Sequence, residues 1–185
     1  MDNTDFKFVS KNIYIRSIRS EDANGPYVSW LNDSEINQYL ESRFIKWDKS
    51  NTKEYIQQII DNKNEEMFAI CMKNDDSHIG NIKIGAINWH HQYGDIGIII
   101  GDKNQWGKKR AQEAINLVCH FGFRELHLNK LTAGCYDENI GSLKAFEAVG
   151  FQQEGRVKKK YLFKDRYTDL ILLGLLKEKY IKLNA

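Results

Sequence analysis

The sequence is poor in the residues that divide a chain. Of its 185 residues only Pro26 is a proline, and no Gly/Ser-rich stretch, repeat or low-complexity tract offers a linker. One domain over residues 1–185 is therefore expected, with a core from about residue 13 to about residue 180. Cysteine is scarce too. Cys71, Cys119 and Cys135 are an odd set that cannot all pair, and two fall in apolar segments, so reduced thiols and a cytoplasmic protein are expected. The opening MDNTDFKFVSKN has no apolar run of signal-peptide length, and no window approaches the ~20 apolar residues of a membrane helix. Charge of one sign is also missing. With 27 basic and 25 acidic residues the net charge is +2, too little to argue for nucleic acid or a membrane surface as partner. No His/Cys/carboxylate spacing suggests a metal.

What is present is ordinary globular composition. Hydrophobic residues make up 42% of the chain, enough at this length for a core that hides roughly 70% of the unfolded surface. Alternating patterns predict strands at 12–18, 67–73, 78–88, 94–100, 130–136, 152–163 and 167–176. Helical spacing and caps mark 20–38, with Asp33 or Ser34 capping a second short helix, and also 50–62, 108–123 and 139–149. Short connections from 67 to 101 imply an antiparallel meander, and the strand–helix–strand passage from 96 to 136 a local parallel pair. The fold class is α+β, a mixed twisted sheet of about seven strands flanked by helices.

The most informative stretch is GDIGIIIGDKNQWGKKRAQEAINLVCHFGF, residues 94–123. An apolar strand (Ile96, Ile98, Ile99, Ile100) enters a polar turn, and Gly107 opens onto Lys108, Lys109 and Arg110, read as a basic first helical turn. The unpaired N–H groups of a helix start, with its dipole, favour an anion and above all a phosphate. Neither GxxxxGK[ST] nor GxGxxG is present, so glycine and basic residues alone are a weak signal. A second unit, NIGSLKAFEAVGF at 139–151, carries Asn139 as N-cap, an apolar ridge of Leu143, Phe146 and Val149, and Gly150 as a left-handed terminator.

Together QWGKKRAQEAI and NIGSLKAFEAVGFQQEG resemble the pyrophosphate-binding and second cofactor-contacting motifs of the GNAT superfamily of acyl-CoA-dependent N-acetyltransferases. The resemblance runs from about Tyr14 to Tyr180. Within it, HIGNIKIGAINW and DRYTDLILLGLL look closest to the branch of ribosomal-protein N-terminal acetyltransferases, and closer still to acetyltransferases of amino sugars in surface-polysaccharide pathways. The resemblance implies an acetyl-CoA-dependent enzyme in which a primary amine attacks the thioester directly. It places the pantetheine arm along the backbone of Ile98, Ile99, Ile100 and Gly101, the diphosphate on Gly107, Lys108, Lys109, Arg110 and Ala111, and Asn139 and Phe146 beside the arm. The family usually has glycine where Lys109 stands, and a helical conformation would suit lysine there. Many relatives carry a tyrosine as proton donor where this chain has Phe146. Ser142, one turn earlier on the same face, is then the candidate acid, or simply a capping residue.

A lysine-like amine costs about 4.6 kcal/mol to deprotonate at pH 7 and an α-amino group about 1.4 kcal/mol, so a modest base suffices for a weakly basic acceptor. Asp95 is the first candidate, and His90 and His91 in the preceding loop are the alternatives. Trp30, Tyr39, Phe44 and Trp89, with Trp47, are candidates for the acceptor pocket or else packing. Lys158–Lys160 would steer an anionic nucleotide-sugar or form a solvated face. The expected acceptor is a small-molecule amine, an amino sugar, free or nucleotide-linked. A protein N-terminus, a catalytically silent acyl-CoA-binding module and a nucleic-acid binder using Lys108–Arg110 are the competing readings. Quaternary state is open, a homodimer included.

Overall fold

The structure is a computed structural model and describes residues 7–184. The first six residues, read above only for lacking an apolar run, lie outside the described part, as does Ala185.

The chain orders as β1 (Lys7–Val9), β2 (Ile13–Ser17), a 3-10 turn (Ser20–Asn24), α1 (Tyr27–Asn32), a second 3-10 turn (Glu41–Phe44), α2 (Lys49–Asp61), β3 (Glu66–Met72), β4 (His78–Asn88) and β5 (Tyr93–Ile100). A 3-10 turn (Lys103–Gln105) then leads into α3 (Arg110–Arg124), β6 (Lys130–Tyr136), α4 (Ile140–Val149), β7 (Gln152–Phe163), β8 (Arg166–Leu176) and α5 (Lys177–Leu183). All eight strands join one sheet in the order β1-β2-β3-β4-β5-β6-β8-β7, and only the β5–β6 contact is parallel.

Two apolar faces follow from the two-residue alternation of the strands. One, with Ile13, Ile15, Phe68, Ile82, Ile84, Ile96, Leu131, Ala133 and Cys135, packs under Ile115, Val118, Phe121 and Phe146 of α3 and α4. The other, with Tyr14, Ala69 and Cys71, packs under Tyr27, Trp30, Leu31 and Ile56 of α1 and α2.

Several sequence expectations need correction. The β1 strand and α5 lie outside the sequence expectations, because three residues and about two charged helical turns are too short to show a period. The 20–38 region is not a helix pair. It is a 3-10 turn, a six-residue helix and then turns in which the Asp33 carboxylate accepts the Glu35 N–H at 2.9 Å. Polar residues that can bond their own backbone compete with helix continuation there. The α2 helix is capped by Asp48, whose side chain takes the Asn51 N–H at 2.9 Å while Asn51 returns the bond, so the cap precedes Ser50. The β7–β8 turn is built on Lys164 and Asp165, both at positive φ (46° and 63°), as a two-residue hairpin requires.

Candidate active site

The β4–β5 ladder runs out to Gly80 opposite Ile100, and the β6–β8 ladder to Tyr136 opposite Leu170. Between them β5 and β6 pair at only three positions, Tyr93–Lys130, Gly94–Leu131 and Asp95–Thr132. Beyond Asp95 the two strands part, and the sheet has a wedge-shaped opening in its middle.

The opening is lined by unsatisfied backbone. The Gly94 carbonyl faces β6, where it lies 3.2 Å from the Thr132 hydroxyl. By the same alternation the groups of Ile96, Ile98 and Ile100 face the opening, while those of Ile99 turn to β4. The resemblance implied all four residues from Ile98 to Gly101 as backbone contacts, and the structure corrects that. The Gly101 N–H is bonded to the Ile79 carbonyl at 2.8 Å, and the Ile100 carbonyl accepts the Trp106 indole N–H at 2.8 Å. Ile98 keeps both groups for a ligand.

At the wide end of the opening α3 begins. Gly107 (φ 72°) and Lys109 (φ 62°) both adopt the left-handed conformation, and Lys109 is the N-cap. Lys108 and Lys109 therefore precede the helix and are not its first turn, which corrects the helical conformation expected for Lys109. A lysine held there costs roughly 1–2 kcal/mol, a cost glycine would avoid. No side chain caps α3, and its first internal bond runs from the Glu113 N–H to the Lys109 carbonyl at 3.0 Å. The N–H groups of Arg110, Ala111 and Gln112 so have no partner within the helix. The Arg110 guanidinium is already engaged at this end, its Nε reaching the Gln105 side-chain oxygen at 3.3 Å. It pairs with Glu113 at 3.0 Å, and Glu113 also accepts from Ser10, the Asn12 N–H and the Asn12 amide. Lys108 and Lys109 remain exposed, and they border a cleft of about 660 Å³ that reaches the ends of α4 and α5.

Across the opening, Asn139 caps α4 by accepting the Ser142 N–H at 3.2 Å, leaving its amide N–H₂ for another partner. The Ser142 hydroxyl lies 3.4 Å from the Cys135 thiol, on the α3/α4 face of the sheet. Burial pushes the Cys135 thiol up, the Ser142 contact opposes this and the Asp95 carboxylate adds to it. Asp95 and Thr132 project on the opposite face. Desolvation raises the Asp95 carboxyl, and the Thr132 hydrogen bond at 2.8 Å and the Lys83 charge pull it back only in part.

A strand gap lined by free peptide groups, an uncapped helix start, and a carboxylate and a hydroxyl on its two faces fit a phosphate-bearing, amide-rich acyl carrier. The family model described as acetyltransferase (GNAT) domain matches residues 12–152. The chain belongs to the GNAT acetyltransferase family. It is 30% identical over 174 residues to the uncharacterized N-acetyltransferase p20 of Bacillus licheniformis, covering 92% of this chain and 96% of that protein. A spermidine N(1)-acetyltransferase of Vibrio cholerae is 30% identical over 103 residues, covering 56% of this chain and 59% of that protein. The crystal structure of the V. cholerae spermidine N-acetyltransferase with CoA and spermine superposes with a TM-score of 0.81 over 91% of this chain and 98% of that chain, at 24% identity. The protein is thus an N-acetyltransferase that uses acetyl-CoA, and the ribosomal-protein and amino-sugar branches are not singled out among these relatives.

The other predicted site residues of this GNAT enzyme are scattered. Trp30 is 6% exposed, packed edge-on against His78 at 5.0 Å and so close to Gly101 that a Cβ there would lie 1.9 Å from its ring. It is core, not acceptor pocket, and so is Trp47. Trp89, on the β4–β5 hairpin, donates to the Lys63 carbonyl and to Asn64 in the α2–β3 connection. His90 and His91 sit on the same hairpin, exposed, with their rings edge-on at 4.7 Å. That hairpin is at the closed end of the seam, away from the opening. The Phe146 ring is buried at 2% exposure against Phe151, so it backs the site from within the core. Phe44 is open to solvent under the Arg43 guanidinium.

Tyr39 belongs to an aromatic cluster that the sequence reading missed. It stacks on Phe163 at 5.0 Å, and Tyr136 stacks on Tyr161 at 4.3 Å. The Tyr136 hydroxyl donates to Glu41 at 2.6 Å and accepts from Arg43 at 2.9 Å, while Arg43 also reaches the Leu162 carbonyl. Burial and then the Glu41 bond push Tyr136 up to about 12. Tyr161 is raised by burial and by the Glu41 and Asp95 charges. A period-2 reading of 152–163 could have put Tyr161 and Phe163 on one face, but not said which face met the site.

Proposed function

We propose that this protein acetylates the primary amine of a small, ring-bearing polar acceptor, an amino sugar, held on the Asp95 face of the opening. The observation that carries the reading is the wedge between Ile96–Ile100 and Ala133–Tyr136, with free strand groups on one wall and the uncapped α3 start at its mouth. Acetyl-CoA supplies the activated acyl group as a thioester. The Ile98 N–H and C=O would take the amides of its arm as a strand would, the Arg110–Gln112 amides with Lys108 and Lys109 its diphosphate, and the Asn139 amide the arm from the other side. An N–H at the base of the wedge would meet the carbonyl oxygen as negative charge develops.

Asp95 is the base in this reading, because desolvation raises its carboxyl and so strengthens its hold on a proton. Ser142, on the other face, is positioned to give the leaving thiolate its proton, a role Phe146 has no hydrogen to fill.

The charges favour a monoamine. Glu41 is engaged by Tyr136 and lies 3.7 Å from Arg43, Glu138 pairs with Arg166 and Asp137 with Arg156. Asp95 is bonded to neutral Thr132 and feels only the Lys83 charge, and a polyamine would demand more carboxylates than this one. Tyrosine and phenylalanine faces beside it suit a sugar ring. The Arg43 guanidinium reaches the Leu162 carbonyl at 3.3 Å and Tyr39 stacks on Phe163, beside a cleft of about 850 Å³ that Gln38 and Phe44 also line. The second reading is a polyamine acceptor, favoured by the spermidine acetyltransferases among the relatives. Acetyl transfer from acetyl-CoA, followed by mass spectrometry against amino sugars, nucleotide-linked amino sugars, spermidine, spermine and N-terminal peptides, decides between them. Preferential turnover of spermidine overturns the amino-sugar reading, and kcat retained in both Asp95→Asn and Ser142→Ala overturns the catalytic roles.

A further inference from the structure

We propose that Thr132 is a positioning residue whose hydroxyl is a rotor following the proton on Asp95, an inference that rests on Asp95 acting as the base. Thr132 is the register partner of Asp95 in the last β5–β6 pair before the strands part. Its side chain is therefore fixed at the narrow point of the wedge. Its Oγ1 lies 2.8 Å from Asp95 Oδ2 and 3.2 Å from the Gly94 carbonyl oxygen. A hydroxyl has one proton to donate, and here two acceptors compete for it.

While Asp95 is ionised, its charge takes the stronger bond and holds the carboxylate with Oδ1 free for the acceptor amine. When the amine attacks, its N–H bond breaks and the proton and carboxylate form the Asp95 O–H. The carboxyl is then neutral, and the Thr132 O–H turns to the Gly94 carbonyl. The threonine hydroxyl keeps its own proton throughout, and only its hydrogen-bond partner changes. The new Asp95 O–H then donates to the Thr132 oxygen, so the two side chains stay bonded in both states and charge relay through Thr132 is not required. A β-branched residue suits this task because its χ1 is stiff and only the O–H rotates. Strand pairing on both sides, to Asp95 and to Gly174, fixes the backbone beneath it.

The other ionisable groups around Asp95 sit on separate elements. Lys83 on β4 is tied to Glu65 at 3.2 Å, Cys135 lies on β6 and Tyr161 on β7, and the Lys130–Glu154 pair at 2.7 Å lies beside Gly174 opposite Thr132. Cys135 and Tyr161 carry neutral donors too, but the hydrogen bond to the Asp95 carboxylate comes from Thr132.

The test is the acid limb of the kcat/KM–pH profile in the full chain, together with a carboxyl-carbon NMR titration of Asp95. In Thr132→Val the ionised carboxylate loses its donor, so both midpoints move to higher pH by about one unit, a tenfold gain in proton affinity. Thr132→Ser keeps the rotor and returns both midpoints to within a few tenths of the parent. A parental midpoint in Thr132→Val, or a serine variant shifted as far as the valine one, overturns the proposal. An acid limb that persists in Asp95→Asn overturns the base assignment alone, because the NMR titration reads the Thr132 contact without turnover.

Discussion

The Trp106 indole N–H donates to the Ile100 carbonyl at 2.8 Å, tying the turn before α3 to the last residue of β5. The bond fixes the amide-lined turn relative to the strand edge beside it. In the proposed cofactor site this bond helps to set the separation between the half for amides and the half for phosphates. Trp106→Phe keeps the ring and removes the bond, worth about 1 kcal/mol, so CoA affinity should fall roughly fivefold by calorimetry. Affinity for pantetheine, which lacks the diphosphate, should change less. Equal losses for both ligands would mean that the tryptophan only packs.

Lys109→Gly separates backbone cost from charge. The left-handed N-cap is relieved, while the unfolded chain gains freedom, so the variant should be more stable by up to about 1 kcal/mol in urea unfolding. It should also bind CoA more weakly at low salt, because one cation is lost beside the helix start. Lys109→Val, β-branched at positive φ, should be less stable than the parent.

Asp95→Asn should uncouple stability from activity. The folded carboxyl is raised, so the native state holds more protons than the unfolded state between the ordinary carboxylate value and the raised one. Stability attributable to Asp95 therefore falls as pH rises through that window and stays lower above it. The asparagine variant should unfold at the parental midpoint or higher at pH 7, while kcat drops on the order of 10²-fold or more, the worth of general-base catalysis.

Arg16 and Asp22 anchor the α1/α2 side. They make two bonds, at 2.6 and 2.8 Å, with side chains 18% and 10% exposed. Burial alone would raise Asp22, but the guanidinium and the Arg19 N–H outweigh it and hold the carboxyl below its usual range. This contribution is present above the unfolded carboxylate value and is lost as pH falls through the lower folded one. Arg16→Ala leaves Asp22 uncompensated and should cost about 3–5 kcal/mol in chemical denaturation at pH 7.

The motifs on either side of the wedge were legible in the sequence because each is a local pattern. The apolar strand 94–100 and the capped helix after Asn139 announce themselves by period and by cap chemistry. The parallel β5–β6 contact followed from one strand–helix–strand passage, and the opening lies there. What could not be read depends on contacts across the chain. Lys109 shows no sign of its left-handed backbone, since glycine is the usual mark of that conformation. Trp30 looked like a pocket aromatic and is core, because only the fold brings it over Gly101. Tyr136 and Tyr161 lie 25 positions apart and become stacked through the β6–β8–β7 order. His90 and His91 were plausible by proximity in sequence to Asp95, yet a hairpin sends them to the far end of the seam.

The short seam has a consequence for chemical intervention. With Ile98 presenting a donor and an acceptor to an empty lane, any extended molecule bearing amides at strand spacing can lie there as a ninth strand. Peptidomimetics, rather than flat aromatic compounds, are the natural starting matter for inhibitors of this enzyme.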